Sequence, residues 1–205
     1  MINLDRIKRD IIVIGASAGG VPPLKELLHA LPPDLPAAVA VVLHRSPYHE
    51  TRLPLVLGRH ALLSVLEPAD HDPVLSGAVY VAPRDQHMLF DDGCVRLSRG
   101  AREHHTRPAI DPLFRSAAQR YGPRVVGVLL SGMGSDGVSG LIAIKKFGGV
   151  SLVQHPCEAR FETMPATAIA EDDVDAMLTV EELAVVLAAL ARGEAIEART
   201  PTVTP

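Results

Sequence analysis

The sequence predicts a three-layer α/β/α domain on a mostly parallel, doubly wound sheet that carries one antiparallel β-hairpin. Three observations predict it. Short apolar runs at residues 11–14, 37–43, 78–82, 125–130 and 150–153 read as strands buried on both faces, the pattern of a parallel sheet. Stretches of helical periodicity lie between most of them, as parallel crossovers require. A turn at Asp91-Asp92-Gly93 between two short apolar runs is a strong hairpin signal.

The elements follow in chain order. Residues 1–10 form a charged lead-in. Ile11-Ile12-Val13-Ile14 is the first strand, and it breaks into Gly15-Ala16-Ser17-Ala18-Gly19-Gly20. Residues 21–31 are helical, with Leu24, Leu27, Leu28 and Leu31 on one face and Pro22 and Pro23 in the first turn. A second strand, 37–43, stops abruptly at His44-Arg45-Ser46-Pro47. Residues 51–63 read as a helix, 64–66 as a short strand and 67–77 as a loop rich in Asp, His and Pro. The strand at 78–82 is closed by Pro83, and 87–90 with 94–97 form the hairpin. A polar stretch, 99–111, precedes a helix over 112–121. The strand 124–130 runs into Ser131-Gly132-Met133-Gly134-Ser135-Asp136-Gly137, a second glycine-rich loop, and then a helix over 138–147. After the strand at 150–153 comes a polar segment, 154–168, with a helix starting at Ala166. Residues 176–178 form a last short strand. Thr179 caps a final helix, 180–191, with Glu182 at capping-box spacing. The boundaries are therefore a lead-in at 1–10, one folded domain at 11–192 and a tail at 193–205 that lacks apolar periodicity.

Composition excludes several function classes. The chain has 205 residues, 47% of them hydrophobic, enough for one domain with an aliphatic core. With 3% aromatics, no Trp and a net charge of −4, it offers neither base-stacking platforms nor a broad basic face, so no nucleic-acid partner is expected. Cys94 and Cys157 stand far apart, as in a reducing cytoplasm. No apolar run is long enough to enter a membrane as a span, and no leader is recognisable. His104 and His105 are adjacent and point to different sides, with no i, i+4 partner, so neither a metal nor another cofactor is expected.

Three strand ends carry the chemistry. G-x-S-x-G at residues 15–19 fits a strand-to-helix turn with Ser17 at its apex, and on its own admits a nucleophile, a packing turn or a phosphate cradle. His44, taken alone, is equally a helix-capping or surface histidine, but parallel neighbours bring it to the same sheet edge as Ser17. Asp136 has an N-cap as its plain role, although three flanking glycines indicate a close backbone approach. Together they supply what nucleophilic catalysis needs: a hydroxyl, a base titrating near neutrality and a carboxylate to orient that base. The order Ser, His, acid differs from the Ser, acid, His of α/β-hydrolases, so the first motif does not indicate that family.

These motifs resemble those of the CheB-type protein-glutamate methylesterases. The resemblance is carried by residues 15–20, His44-Arg45, Ala82-Pro83 with His87-Met88, the segment Arg107-Pro108 through Asp111 to Phe114, residues 131–137 and Met164-Pro165-Ala166. It runs from about Ile11 to Leu190. It implies a hydrolase of glutamate γ-methyl esters on chemoreceptors that also deamidates certain receptor glutamines. By position, Ser17 matches the nucleophile, His44 the base, Asp136 the orienting acid and the Met133 backbone N–H an oxyanion donor. Helix geometry adds the Ala18 amide as a second donor. The implied partners are the methylated cytoplasmic helices of chemoreceptors and a separate regulatory protein, since only about ten residues precede the first strand where the family commonly carries a receiver domain. The chain departs from the family pattern at Ala18, where threonine is common, at Ser135, where asparagine is frequent, and at His155, where an acid is usual. Two competing readings are a catalytically inactive module that uses the same cleft to bind a receptor or partner, and a nucleotide cradle. The second is weakened by the lack of a P-loop Lys-Ser/Thr ending and of G-x-G-x-x-G spacing.

Overall fold

The computed structural model describes residues 7–45, 52–172 and 174–194. The predicted tail from residue 195, most of the lead-in, Thr51 and the Ser46-Pro47 end of the second strand's loop lie outside the described residues.

Nine strands and six α-helices are described: β1 (Ile11–Ala16), α1 (Val21–Ala30), β2 (Ala38–Leu43), α2 (Leu53–Gly58), β3 (Ser64–Leu66), β4 (Ala78–Val81), β5 (His87–Asp91), β6 (Cys94–Ser98), α3 (Ile110–Tyr121), β7 (Val125–Leu129), α4 (Val138–Lys146), β8 (Val150–Gln154), α5 (Thr163–Glu171), β9 (Ala176–Leu178) and α6 (Val180–Arg192). Seven strands make one sheet in the order β3-β4-β2-β1-β7-β8-β9, and every pairing in it is parallel. The predicted hairpin, β5 with β6, pairs antiparallel as a separate two-stranded sheet, so it does not mix the main one.

Alternation along each strand divides the core. Ile12 and Ile14 face a layer that contains Leu24, Leu27 and Leu28 of α1 and Leu183 and Leu187 of α6. Ile11 and Val13 face the opposite layer, with Ile110, Leu113 and Phe114 of α3, Leu141 and Ile144 of α4, and Met88 and Phe90 of the hairpin. Gly127 lets α4 lie close on β7: a Cβ there would stand 2.6 Å from Ile144 and 2.7 Å from Leu141.

Three helix boundaries differ from the sequence expectation. The helix expected over 51–63 is confined to Leu53–Gly58, and Leu62 beyond it is exposed. α3 begins at Ile110 rather than residue 112, because Asp136 accepts its first two amide N–H groups. α5 begins at Thr163 rather than Ala166; Pro165 falls in the first turn, where a missing N–H leaves no helical bond unmade. The capping box of α6 is as read from sequence: Glu182 N–H donates to Thr179 Oγ1 at 3.2 Å and Thr179 N–H to Glu182 Oε2 at 2.9 Å.

Sheet order places the site. β1 is central, with β2 on one side and β7 on the other, so the chain reverses its direction of growth there. Ligand crevices form at the carboxyl ends of strands at such a switch point. Registers Ala16↔Leu43 and Gly15↔Leu129 bring the residues that follow all three strands to one edge.

Candidate active site

Ser17 leaves β1 one residue past its last paired position, and His44 leaves β2 likewise; His44 N–H donates to Ala16 O at 3.0 Å and keeps the two exits side by side. The His44 Nδ1 atom lies 3.0 Å from Ser17 Oγ, and His44 Nε2 lies 2.7 Å from Asp136 Oδ2. Asp136 is 2% exposed and His44 19% exposed. A carboxylate bonded to Nε2 fixes the proton there. Nδ1 is then left with its lone pair toward the serine hydroxyl, which donates to it.

Asp136 caps a helix, but not its own. The residue before α4 is Gly137, at φ +96°, with no side-chain cap. The Asp136 carboxylate instead accepts Ile110 N–H at 2.8 Å and Asp111 N–H at 3.0 Å, the opening amides of α3. Asp111 returns the arrangement: its Oδ1 accepts Gly140 N–H at 2.7 Å and Gly137 N–H at 3.1 Å at the start of α4. The two helices thus exchange carboxylates at their N-termini, where negative charge is favoured. Gly137 permits the approach, since a Cβ would stand 2.6 Å from Leu129 and 2.8 Å from Ile110.

The two acids shift in opposite directions. Burial pushes the Asp136 carboxyl up, but hydrogen bonds from His44, Ile110 and Asp111 outweigh it and hold the group below its ordinary 3.8. Burial and the neighbouring Asp136 push Asp111 above that value, against the donors from Gly140 and His104. A depressed carboxyl adds stability above its unfolded pKa and loses it as pH falls through the folded one. The stability gap between wild type and Asp136→Asn should therefore narrow below about pH 4, as checked by urea unfolding from pH 7 to 3.

The serine turn and the second glycine loop are tied by Ser131, which is fully buried. Its carbonyl accepts Ser17 N–H at 3.0 Å, its hydroxyl donates to Ala18 O at 2.9 Å and accepts Phe161 N–H at 3.0 Å, and its N–H donates to Gln154 Oε1 at 2.9 Å. Gly132 is pinned between Phe161 O and Met164 N–H, and a Cβ on it would meet Met164 at 2.5 Å and Ser17 Cβ at 3.0 Å. Gly134, at φ +85°, has open space where a Cβ would stand, so its role is conformational alone. The amide N–H groups of Met133 and Ala18 make no hydrogen bond among the described residues, and the Met133 side chain is 59% exposed. A shallow groove lined by Gly19, Pro22, Glu26, Gln154, Glu158 and Arg160 opens beside the turn.

His104 is the group that sequence reasoning missed most completely. Its Nε2 lies 3.0 Å from Asp111 Oδ2 and 3.8 Å from Asp136 Oδ1. Polar atoms of His104, Asp111 and Asp136 fall within 4.8 Å of one another. The carboxylate oxygens are largely occupied by backbone N–H and imidazole donors, so the arrangement is that of buried anions wrapped in donors rather than a cage for a cation.

A family profile described as CheB methylesterase matches residues 12–187. The chain belongs to the CheB methylesterase family. It is 40% identical over 183 residues to a protein-glutamate methylesterase/protein-glutamine glutaminase 2 of Anaeromyxobacter dehalogenans (strain 2CP-C), covering 89% of this chain and 54% of that protein. This chain thus spans about half the length of that relative. A putative protein-glutamate methylesterase/protein-glutamine glutaminase of Leptospira interrogans is 36% identical over 176 residues, covering 85% of this chain and 91% of that one. The crystal structure of the Thermotoga maritima CheB methylesterase catalytic domain superposes with a TM-score of 0.84 at 31% identity, covering 90% of this chain and all of that one.

In this member of the CheB methylesterase family, the departures noted in the sequence follow strands β1, β7 and β8. Ala18 is half-buried beside Ser17 and offers only backbone groups. Ser135 is exposed and its carbonyl accepts Val138 N–H at 3.2 Å in the turn into α4. His155 Nδ1 accepts Cys157 N–H at 3.2 Å. No described helix is long and apolar enough to cross a membrane.

Proposed function

We propose that this CheB-family chain is a serine hydrolase of glutamate γ-methyl esters on the cytoplasmic helices of chemoreceptors, and that it also deamidates receptor glutamines. The observation that carries the reading is the continuous hydrogen-bonded series Ser17 Oγ, His44 Nδ1, His44 Nε2, Asp136 Oδ2. Ser17 is the nucleophile, His44 the base and Asp136 the acid that orients it. As Oγ bonds to the ester carbonyl carbon, its proton passes to His44 Nδ1. The imidazolium so formed is stabilised at Nε2 by Asp136. The Met133 and Ala18 amides, free of other acceptors among the described residues, donate to the developing oxyanion. Collapse breaks the carbon–methoxy bond, and His44 returns the proton so that methanol leaves. Water then repeats the sequence on the acyl-enzyme and frees the glutamate carboxylate. With a glutamine substrate the leaving group is ammonia.

The names of the relatives support ester hydrolysis and glutamine deamidation as the paired reactions. A separate regulatory protein acting on the chain, and a cytoplasmic site of action, accord with this reading. The test is methanol release from receptor-bearing membranes carrying methyl-esterified glutamates. Wild-type protein should release methanol continuously. Binding to the receptors without any release would instead establish an inactive recognition module.

A further inference from the structure

His104 stands on a tight turn whose backbone is unusual. Glu103 N–H donates to Thr106 O at 3.2 Å and Thr106 N–H to Glu103 O at 2.9 Å, which leaves His104 and His105 as the two central residues. Both have positive φ, +48° and +62°, the conformation for which such turns ordinarily use Asn-Gly. The turn is fastened from outside. The Glu103 carboxylate takes both oxygens to Arg115 Nη2 of α3 at 2.8 Å, and Arg107 Nη1 donates to Arg99 O and Gly100 O at the turn's base. The result is an imidazole held against the exchanged carboxylates, its Nε2 3.0 Å from Asp111 Oδ2.

We infer that His104 is a positioning residue of the same site: through Asp111 and Asp136 its imidazole is coupled to that of His44, so that the charge on one governs how readily the other holds its proton. The inference rests on the reading of Ser17, His44 and Asp136 given above. Asp136 lies between the two rings, with Oδ2 2.7 Å from His44 Nε2 and Oδ1 3.8 Å from His104 Nε2. Asp111, at 3.0 Å from His104, is the second buried anion. The other groups that face the cluster are Arg115, 3.8 Å from Asp111 and already paired with Glu103, and His87, whose ring nitrogens serve Ala101 O and Ala109 N–H. The two acids are each 2% exposed, whereas the His104 ring is 40% exposed and hydrogen-bonds Asp111, so its charge reaches His44 through the pair of buried carboxylates. Positive charge on His104 opposes positive charge on His44 across these acids. Ionised Asp111 has the opposite influence.

The test follows His44 by its imidazole NMR resonance during a pH titration, with the acid limb of kcat/KM for methyl-ester hydrolysis measured alongside. His104→Asn keeps a residue that tolerates positive φ and removes the titrating ring. It should raise the His44 midpoint by about half to one pH unit, and shift the acid limb the same way. Asp111→Asn, which removes the second anion, should lower the midpoint. His105→Asn, on the same turn but with no hydrogen bond or ion pair among the described residues, should leave it unmoved. A structural role for His104 would lower the melting temperature with the His44 midpoint unchanged, and that result overturns the inference. Should His104→Asn not fold, an unmoved midpoint in Asp111→Asn overturns it equally. The NMR arm stands without turnover, so an absence of methanol release counts against the esterase reading while the His44 midpoint still decides this one.

Discussion

Ser17→Ala should retain the fold and lose turnover by about 10⁴- to 10⁶-fold in kcat. The side chain is half-buried, and the hydrogen bond of its Oγ is to His44. Its loss leaves no polar core group unsatisfied, and thermal stability should move little. The backbone of residue 17 is fixed independently, because its N–H donates to Ser131 O and its carbonyl accepts Gly20 N–H. Alanine therefore preserves the turn, the two free amides and substrate affinity, and removes only the atom that attacks. The split of a large kcat loss with an unchanged KM distinguishes this from damage to binding. The check is steady-state methanol release together with a melting curve. A folded Ser17→Ala protein that turns over at the wild-type rate would contradict the assignment.

Asp136→Asn should lower kcat by about 10⁴-fold, close to the effect of removing the nucleophile, although Asp136 never touches substrate. An amide at this position can turn its NH₂ toward His44 Nε2. The imidazole then keeps its proton on Nδ1, facing Ser17, and has no lone pair with which to accept one. The negative charge that stabilises the imidazolium is lost as well. This substitution also costs stability, because the carboxylate accepts the first amides of α3. Loss of a helix cap costs roughly 1 kcal/mol. Activity and stability should therefore be measured on the same preparation at pH 7. A variant with near-normal kcat would show that the base needs no acid here.

Much of this was legible in the sequence, for physical reasons. The buried parallel strands are short runs of β-branched and small residues, and the loops after β1, β2 and β7 change composition sharply at the sheet edge. Ser17, His44 and Asp136 were therefore recoverable, and the structure brings all three together. What the sequence hid was the partner of each group. Asp136 sits where an N-cap of α4 would sit, yet it serves α3, whose opening amides lie 25 and 26 positions earlier. Asp111 carries no local sign that it serves α4. Ser131 opens the glycine-rich loop and Gln154 the polar segment after β8, and neither context shows that together they join the serine turn, the glycine loop and residue 161. His104 was hidden for a different reason. Adjacent histidines point apart in any regular element, and only a turn with two positive φ angles brings the first one inward.

The glycines divide the same way. Gly15 is required by the close passage of Ile110 rather than by its own φ, since a Cβ would stand 2.5 Å from that side chain. Gly19, at φ +71°, is required by conformation as well as by contact with Phe161 and Ser131. Both belong to one motif, and the motif alone does not separate the two causes.

The measurement that bears most directly on the central claim is covalent labelling of the folded protein with a fluorophosphonate, followed by peptide mapping. An unactivated serine does not react, whereas one paired with a base forms a stable phosphonyl adduct. The account predicts a single adduct on Ser17, at a rate that collapses in Asp136→Asn. A native protein whose Ser17 stays unlabelled, or whose label falls on another serine, would contradict it.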